Sequence, residues 1–146
     1  MSFQTEIEIA ASPETVYSHF LDPARMVRWM GERARLEARQ GGEFSVDING
    51  VLIRGHYVDL DPPRRIVVAW GQLGNAAMPP ASTRVIVELE ATAGGTRLRL
   101  THTGLVQGEA AKHAIGWPHF LARMAITALG GDPGKDPFAV GDLSPN

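Results

Sequence analysis

The sequence predicts an α+β domain in which a curved antiparallel sheet of about seven strands wraps around one long C-terminal helix. Three observations predict it. Residues 3–9 alternate apolar and polar side chains, as a half-buried strand does, and residues 32–103 form a series of strand-like runs separated by hairpin punctuation. Residues 113–131 are apolar around more than half of a helical circumference. A helix with so wide an apolar face must be covered on more than one side, and a bent sheet covers it that way.

In FQTEIEIAA, Phe3, Thr5, Ile7 and Ile9 fall on one face and Gln4, Glu6 and Glu8 on the other, which gives a first strand. Two short helices follow. Ser12 stands as an N-cap before Pro13 and Glu14, with Val16, Tyr17 and Phe20 at helical spacing; Asp22 before Pro23 repeats the device, and Gly31 ends the second helix. Strands are then expected at 33–39, 43–48, 51–60, 65–71, 83–91 and 96–103. Gln40-Gly41-Gly42, Asn49-Gly50 and Gly94-Gly95 supply residues that tolerate positive φ, whereas Asp61-Pro62-Pro63 makes a turn that cannot be laddered. Short turns between consecutive strands give an antiparallel meander. Residues 72–82 are rich in Gly and Pro and are expected to form a mobile loop. Pro118 is tolerable in a first turn, so the regular last helix is expected to begin close to Gly116 and Trp117, with Gly130 and Gly131 as its C-cap. Residues 1–131 thus read as one domain, and 132–146 as a proline-containing tail that wraps the surface or is disordered.

Composition narrows the classes of function. The 146 residues suit a single core, and 44% hydrophobic with 21% charged residues is ordinary for a soluble domain. A formal charge of -2 with both signs interspersed gives no basic field for nucleic acid. The absence of cysteine excludes disulfides, thiolate nucleophiles and cysteine-ligated metals. No run approaches the roughly 18 apolar residues of a membrane span, and MSFQTEIEIAAS has no basic stretch followed by an apolar core, so the expected location is cytoplasmic.

Four segments in register, SPETVYSHFLDPARMVRWMG, GHYVDLDPPRRIVVAWG, STRVIVELEATAGGTRLRLTHTGL and GWPHFLARMAITALGG, resemble the START-like helix-grip proteins of the SRPBCC group. Within that group they look like the subgroup named for the activator of the ninety-kilodalton heat-shock protein's ATPase. The resemblance runs from the first strand to Gly131. It implies a sheet gripping the C-terminal helix, with a cavity for an apolar or amphipathic molecule between them and the two short helices as its lid. Carriers, sensors, cyclases, dehydratases and co-chaperone domains share that fold, so the activity must be argued from the site.

In such a fold Trp29, Trp70 and Trp117 resemble the walls of one cavity mouth, with plain core packing as the competing reading. Met30, Phe120 and Met124 carry the same choice. His102 alternates with Leu98 and Leu100 onto the buried face, which makes it the best candidate for a polar group in the cavity: an acid or base near neutral pH, or a histidine hydrogen-bonded for structural reasons. Tyr57 offers a hydroxyl to a guest if it and Ile53 point inward and Arg54 outward, an assignment that depends on a bulge near Gly55. The five histidines form no HxH or HxxxH pair, and His113 and His119 diverge by about 120° on a helix, so no metal is expected. GxSxG is absent, GGDPGK follows a helix where a phosphate cradle precedes one, and no cofactor is expected.

The residues therefore point to binding of a small apolar or amphipathic molecule at Trp29, Met30, Tyr57, Trp70, His102, Trp117, Phe120 and Met124. A cyclase- or dehydratase-type enzyme using His102 and Tyr57, and a co-chaperone-like interaction module, are the alternatives. A homodimer is the expected assembly, with Phe138, Val140 and Leu143 of the tail free to pack on either copy.

Overall fold

Positive φ at Asn49 (46°) and Gly50 (85°) closes a two-residue hairpin between Glu43–Ile48 and Val51–Asp61, the turn that an Asn-Gly pair favours. It is one of several connections that build the sheet. In the computed structural model, which describes residues 2–136, the order is β1 (Ser2–Ile9), α1 (Pro13–Ser18), α2 (Pro23–Trp29), β2 (Arg33–Leu36), β3 (Glu43–Ile48), β4 (Val51–Asp61), β5 (Arg65–Trp70), β6 (Thr83–Thr92), β7 (Gly95–Thr103) and α3 (Gln107–Ala128). The seven strands pair antiparallel in the order β1-β7-β6-β5-β4-β3-β2. This is the helix-grip arrangement: a meander from β2 to β7, with β1 added beside β7 and α3 on the inner face.

Alternation assigns the two faces. Opposite Glu6 and Glu8 stand Arg99 and Arg97, paired at 2.8 and 3.0 Å on the solvent side, while Ile7 faces Leu98 and Thr5 faces Leu100 toward the core. Both short helices are capped as their sequences predict: Ser12 Oγ accepts from the Thr15 amide at 3.2 Å, and Asp22 Oδ1 from the Ala24 amide at 2.9 Å. Their corner is tied down from two sides. Trp29 donates its indole N–H to the His19 carbonyl at 3.1 Å, and the Tyr57 hydroxyl donates to the Phe20 carbonyl at 2.7 Å.

Four expectations are corrected. The last helix begins at Gln107 rather than near Gly116, and Pro118 lies inside it. Pro118 and Ala114, whose carbonyl loses its partner, are both exposed, so water can serve that acceptor while Trp117, Phe120 and Leu121 pack the other side. The irregularity in β4 falls between Tyr57 and Asp59, not at Gly55. The second strand stops at Leu36, because the Arg39 amide turns back to the Glu37 carbonyl at 2.7 Å. Residues 72–82 are irregular but stitched in place: the Gln72 amide bonds the Met78 carbonyl, the Leu73 amide bonds the Leu52 carbonyl, and Met78 is 1% exposed.

Beyond α3 the chain reverses at Gly130 (φ 84°) and returns along the helix, with Arg123 donating to the Pro133 carbonyl at 3.5 Å and His119 Nε2 to Asp136 at 2.7 Å. Phe138, Val140 and Leu143 lie outside the described residues.

Tyr57 and Ile53 point inward, 0% and 2% exposed, and Arg54 points outward to Asp47 at 2.8 Å. Between them Gly55 lets β4 cross β5 closely: a Cβ there would stand 1.7 Å from the Ala69 carbonyl oxygen. No rotamer relieves a clash with backbone. Gly55→Ala is therefore expected to destabilise the protein by at least about 2 kcal/mol, read as a lower urea midpoint, whereas Gly94→Ala, with open space at its Cβ, should change it little.

Candidate functional site

Trp70 ends β5 and Trp117 lies on α3, and their rings meet across the gap between sheet and helix with centroids 5.1 Å apart and planes at 47°. Each residue is 4% exposed, so each indole N–H needs a partner inside the protein. Trp117 Nε1 donates to His102 Nδ1 at 3.0 Å, and Trp70 Nε1 donates to His113 Nε2 at 3.3 Å.

These bonds determine both tautomers. Thr83 Oγ1 donates its proton to the Trp70 carbonyl at 2.7 Å, so in its 2.8 Å contact with His102 Nε2 the imidazole must be the donor. His102 thus carries its proton on Nε2 and accepts on Nδ1. On His113 the accepting nitrogen is Nε2, so Nδ1 holds the proton and donates to the Glu109 carbonyl at 2.7 Å. Every ring nitrogen is committed. The two imidazoles lie edge to face at 4.7 Å. Burial pushes His102 down to about 2, with His113 adding to the effect, and burial also lowers His113 against the opposing pull of the Glu109 carbonyl and carboxylate. Both rings are neutral at neutral pH.

Beside the two indoles is a cavity of about 130 Å³. The β3–β4 hairpin contributes Ile48, Val51 and Ile53 to its wall, the 72–82 loop contributes Met78, and Met30 enters from the end of α2. Helix α3 supplies Gly116 and Phe120. Gly116 leaves room: a Cβ built there would meet only Phe120 Cε2, at 3.9 Å. The polar residues are Gln72, Glu109 and Lys112 at one end, besides His113. Asn75 Nδ2 bridges Gln72 Oε1 and Glu109 Oε2, each at 3.1 Å, and Lys112 Nζ reaches the same Glu109 oxygen at 3.5 Å.

Four of the eight candidate residues, Met30, Trp70, Trp117 and Phe120, line this cavity. The other four lie elsewhere in the core. Trp29 packs edge-on against Phe20 at 5.2 Å, so the three indoles do not converge on one gap. The reason is local: Met30 is extended (φ -146°, ψ 117°) as the chain leaves α2, and successive side chains of extended backbone point to opposite sides. Tyr57 spends its hydroxyl on the Phe20 carbonyl, His102 stands behind Trp117, and Met124 is fully buried.

Sequence reasoning did not single out Glu109, Lys112, Gln72, Met78, Ile48 or Val51; it named Ile53 only as pointing inward with Tyr57, and considered His113 only as a metal ligand. On α3 a signal existed. Glu109, Lys112, His113, Gly116, Trp117 and Phe120 follow the three- and four-residue spacing of one helical face, which becomes visible once the helix starts at Gln107. Among the described residues no three His, Asp or Glu side chains form a group able to hold a metal, and no helix is long and apolar enough to cross a membrane.

Comparison with known proteins gives the following. Residues 10–128 match the family described as Activator of Hsp90 ATPase homolog 1-like protein. An AHSA1-like protein from Rhizobium etli, known from its solution structure, is 37% identical with a TM-score of 0.74, covering 94% of this chain and 88% of that one. The Aha1 dimer from Colwellia psychrerythraea is 22% identical with a TM-score of 0.76, covering 88% and 96% of the two chains. CalU16 from Micromonospora echinospora is 24% identical with a TM-score of 0.72, covering 95% and 78%. The last two likenesses concern the fold alone. No functionally curated protein matches the sequence.

The histidine network makes a prediction about acid. His102 titrates at 6.5 in an unfolded chain and near 2 in the folded one, so the unfolded state binds the extra proton. Stability is full above 6.5 and is lost progressively as the pH falls from there toward 2. Between pH 7.5 and 5 this single group is expected to cost about 2 kcal/mol. His113 acts in the same direction. Urea unfolding at the two pH values measures the loss, and His102→Gln, which can still accept from Trp117 and donate to Thr83, should show a smaller one.

Proposed function

The chain belongs to the Activator of Hsp90 ATPase homolog 1-like family, and we propose that this member binds a small apolar or amphipathic molecule between α3 and the sheet, as a carrier, sensor or sequestering protein. One observation carries the reading: a largely apolar cavity stays open beside Trp70 and Trp117 because the helix presents Gly116 where any larger residue would project into it. Met30 and Met78 add polarizable, adaptable walls. At about 130 Å³ the space is close to the roughly 150 Å³ in which an engineered apolar cavity of another protein takes up benzene. A single ring or a short chain fits, and the rest of a larger molecule would lie over Gln72 and Lys112.

The cyclase- or dehydratase-type alternative draws less support. His102 would have to break two hydrogen bonds to exchange a proton with a substrate, and the Tyr57 hydroxyl, raised above its ordinary value by burial, is already donated to backbone. A co-chaperone-like role is supported by the family name alone. Pairing of two copies, as its Colwellia relative is described, belongs to this proposal as well: Ile115 and Ile126 on the outer face of α3 and Leu129 just past its end are 41%, 44% and 62% exposed. Ile126→Glu is expected to shift a dimer to monomer in sedimentation, and a monomeric parent protein would remove the pairing from the proposal.

Toluene is a suitable probe for the cavity, with tryptophan fluorescence as the signal. The parent protein is expected to give a saturable change and Gly116→Leu none, while Gly116→Leu raises unfolding stability by roughly 1 kcal/mol through helix propensity. A variant that folds and binds toluene like the parent would overturn the assignment of this cavity as the binding site.

A further inference from the structure

Resting on that binding reading, we propose that the guest is a neutral, phenol-like molecule, one ring bearing a hydroxyl, and that the Glu109 carboxylate is the group that selects it. The cavity holds about one ring. Its aromatic walls offer a guest no donor, because both indole N–H groups are spent on His102 and His113 and the His113 nitrogens are both committed. A polar atom on the guest can therefore be satisfied only at the end where Glu109, Lys112 and Gln72 stand.

At that end Glu109 is the unusual residue. Its side chain is 8% exposed, and a carboxylate that deep needs donors for about four lone-pair sites. The contacts it has, from Asn75 and Lys112, both fall on Oε2, which leaves Oε1 to accept from whatever enters. The charge balance argues for a neutral donor. Glu109 and Lys112 cancel and His113 is uncharged, so an entering anion meets the carboxylate and an entering cation must compete with Lys112. A hydroxyl avoids both penalties: its O–H donates to Glu109 Oε1, and its oxygen can accept from Lys112 Nζ or the Gln72 amide. Hydrogen bonds to a buried charged acceptor are among the stronger ones, enough to change affinity about tenfold or more.

Phenol, toluene, benzoate and benzylammonium, titrated at pH 7.5 with tryptophan fluorescence or calorimetry, separate the outcomes. Toluene leaves water more readily than phenol, so a phenol affinity equal to or above that of toluene has to come from the polar end. The expected result is that phenol at least matches toluene, that benzoate and benzylammonium bind more weakly, and that Glu109→Ala weakens phenol about tenfold while toluene shifts less than about twofold. Glu109→Gln keeps an acceptor for Asn75 and is the second variant should the alanine protein not fold: phenol is again weakened and toluene unchanged. Toluene binding with phenol well below it, benzylammonium binding above phenol, or a Glu109 variant that affects phenol and toluene alike would overturn the hydroxyl selection and leave the cavity reading standing. If neither toluene nor phenol binds, it is the cavity reading itself that fails.

Discussion

The hydrogen bond from the Trp117 indole to His102 Nδ1 is the constraint on which the interior depends. It joins α3 to β7 through two buried side chains, and it exists only while His102 is neutral, since a protonated ring would point N–H at N–H. Neutrality follows from burial. From His102 the proton order is forced onward to Thr83 and the Trp70 carbonyl, and the Trp70 indole in turn directs the tautomer of His113. A buried polar network in which every member is satisfied makes its side chains rigid; the same network with one proton misplaced leaves donors facing each other in a low dielectric.

That rigidity explains how an opening can persist in a packed core. Protein interiors close onto voids where side chains can relax, because atoms lining a void lose dispersion contacts. Here the two largest side chains at the opening are held by their polar edges: neither indole can rotate into the space beside Gly116 without abandoning a buried hydrogen bond. The hairpin residues Ile48, Val51 and Ile53 are fixed by the sheet, and Met78 by the bond from the Gln72 amide to its carbonyl. An apolar guest of the kind proposed would supply the missing contacts and offset a cost the fold already carries. The network that could have provided a base is the one that keeps the cavity open.

The sheet was legible because alternation and burial agree: Leu98, Leu100 and His102 lie on one inward face, and Tyr57 and Ile53 on another, as a period of two requires. Both short helices were legible from Ser12-Pro13 and Asp22-Pro23, whose caps form by local bonds alone. The start of α3 was not, because Pro118 reads as a breaker in sequence and only the packed fold shows that its freed acceptor lies on the wet side. That single error hid the polar end of the cavity, since Glu109 and Lys112 belong to the turns it removed from the helix. Met78 carried no signal either: its place depends on how residues 72–82 fold back against β4, a long-range contact without periodicity. Trp29 and Met30 show the resolution limit of pattern reading, for adjacent residues differ in destination by one backbone conformation at a helix end.

Stability and the polarity of the proposed guest rest on different residues, whereas Trp70 and Trp117 belong both to the network and to the cavity wall. The ion pairs on the outer face of the sheet are half exposed and contribute little, so the fold is held by the apolar inner face and by the bonds of Trp29, Tyr57 and His102. None of those three lines the cavity. Glu109, Lys112, Gln72 and Gly116 do line it, and Gly116 weakens the helix rather than strengthening it. If the cavity binds as proposed, a few changes around Gly116 and Glu109 would alter what it accepts while Trp117, His102, Thr83 and Trp70 stay as they are. On the proposed reading, the shape of the guest is set by the network and its polarity by the α3 residues at the open end.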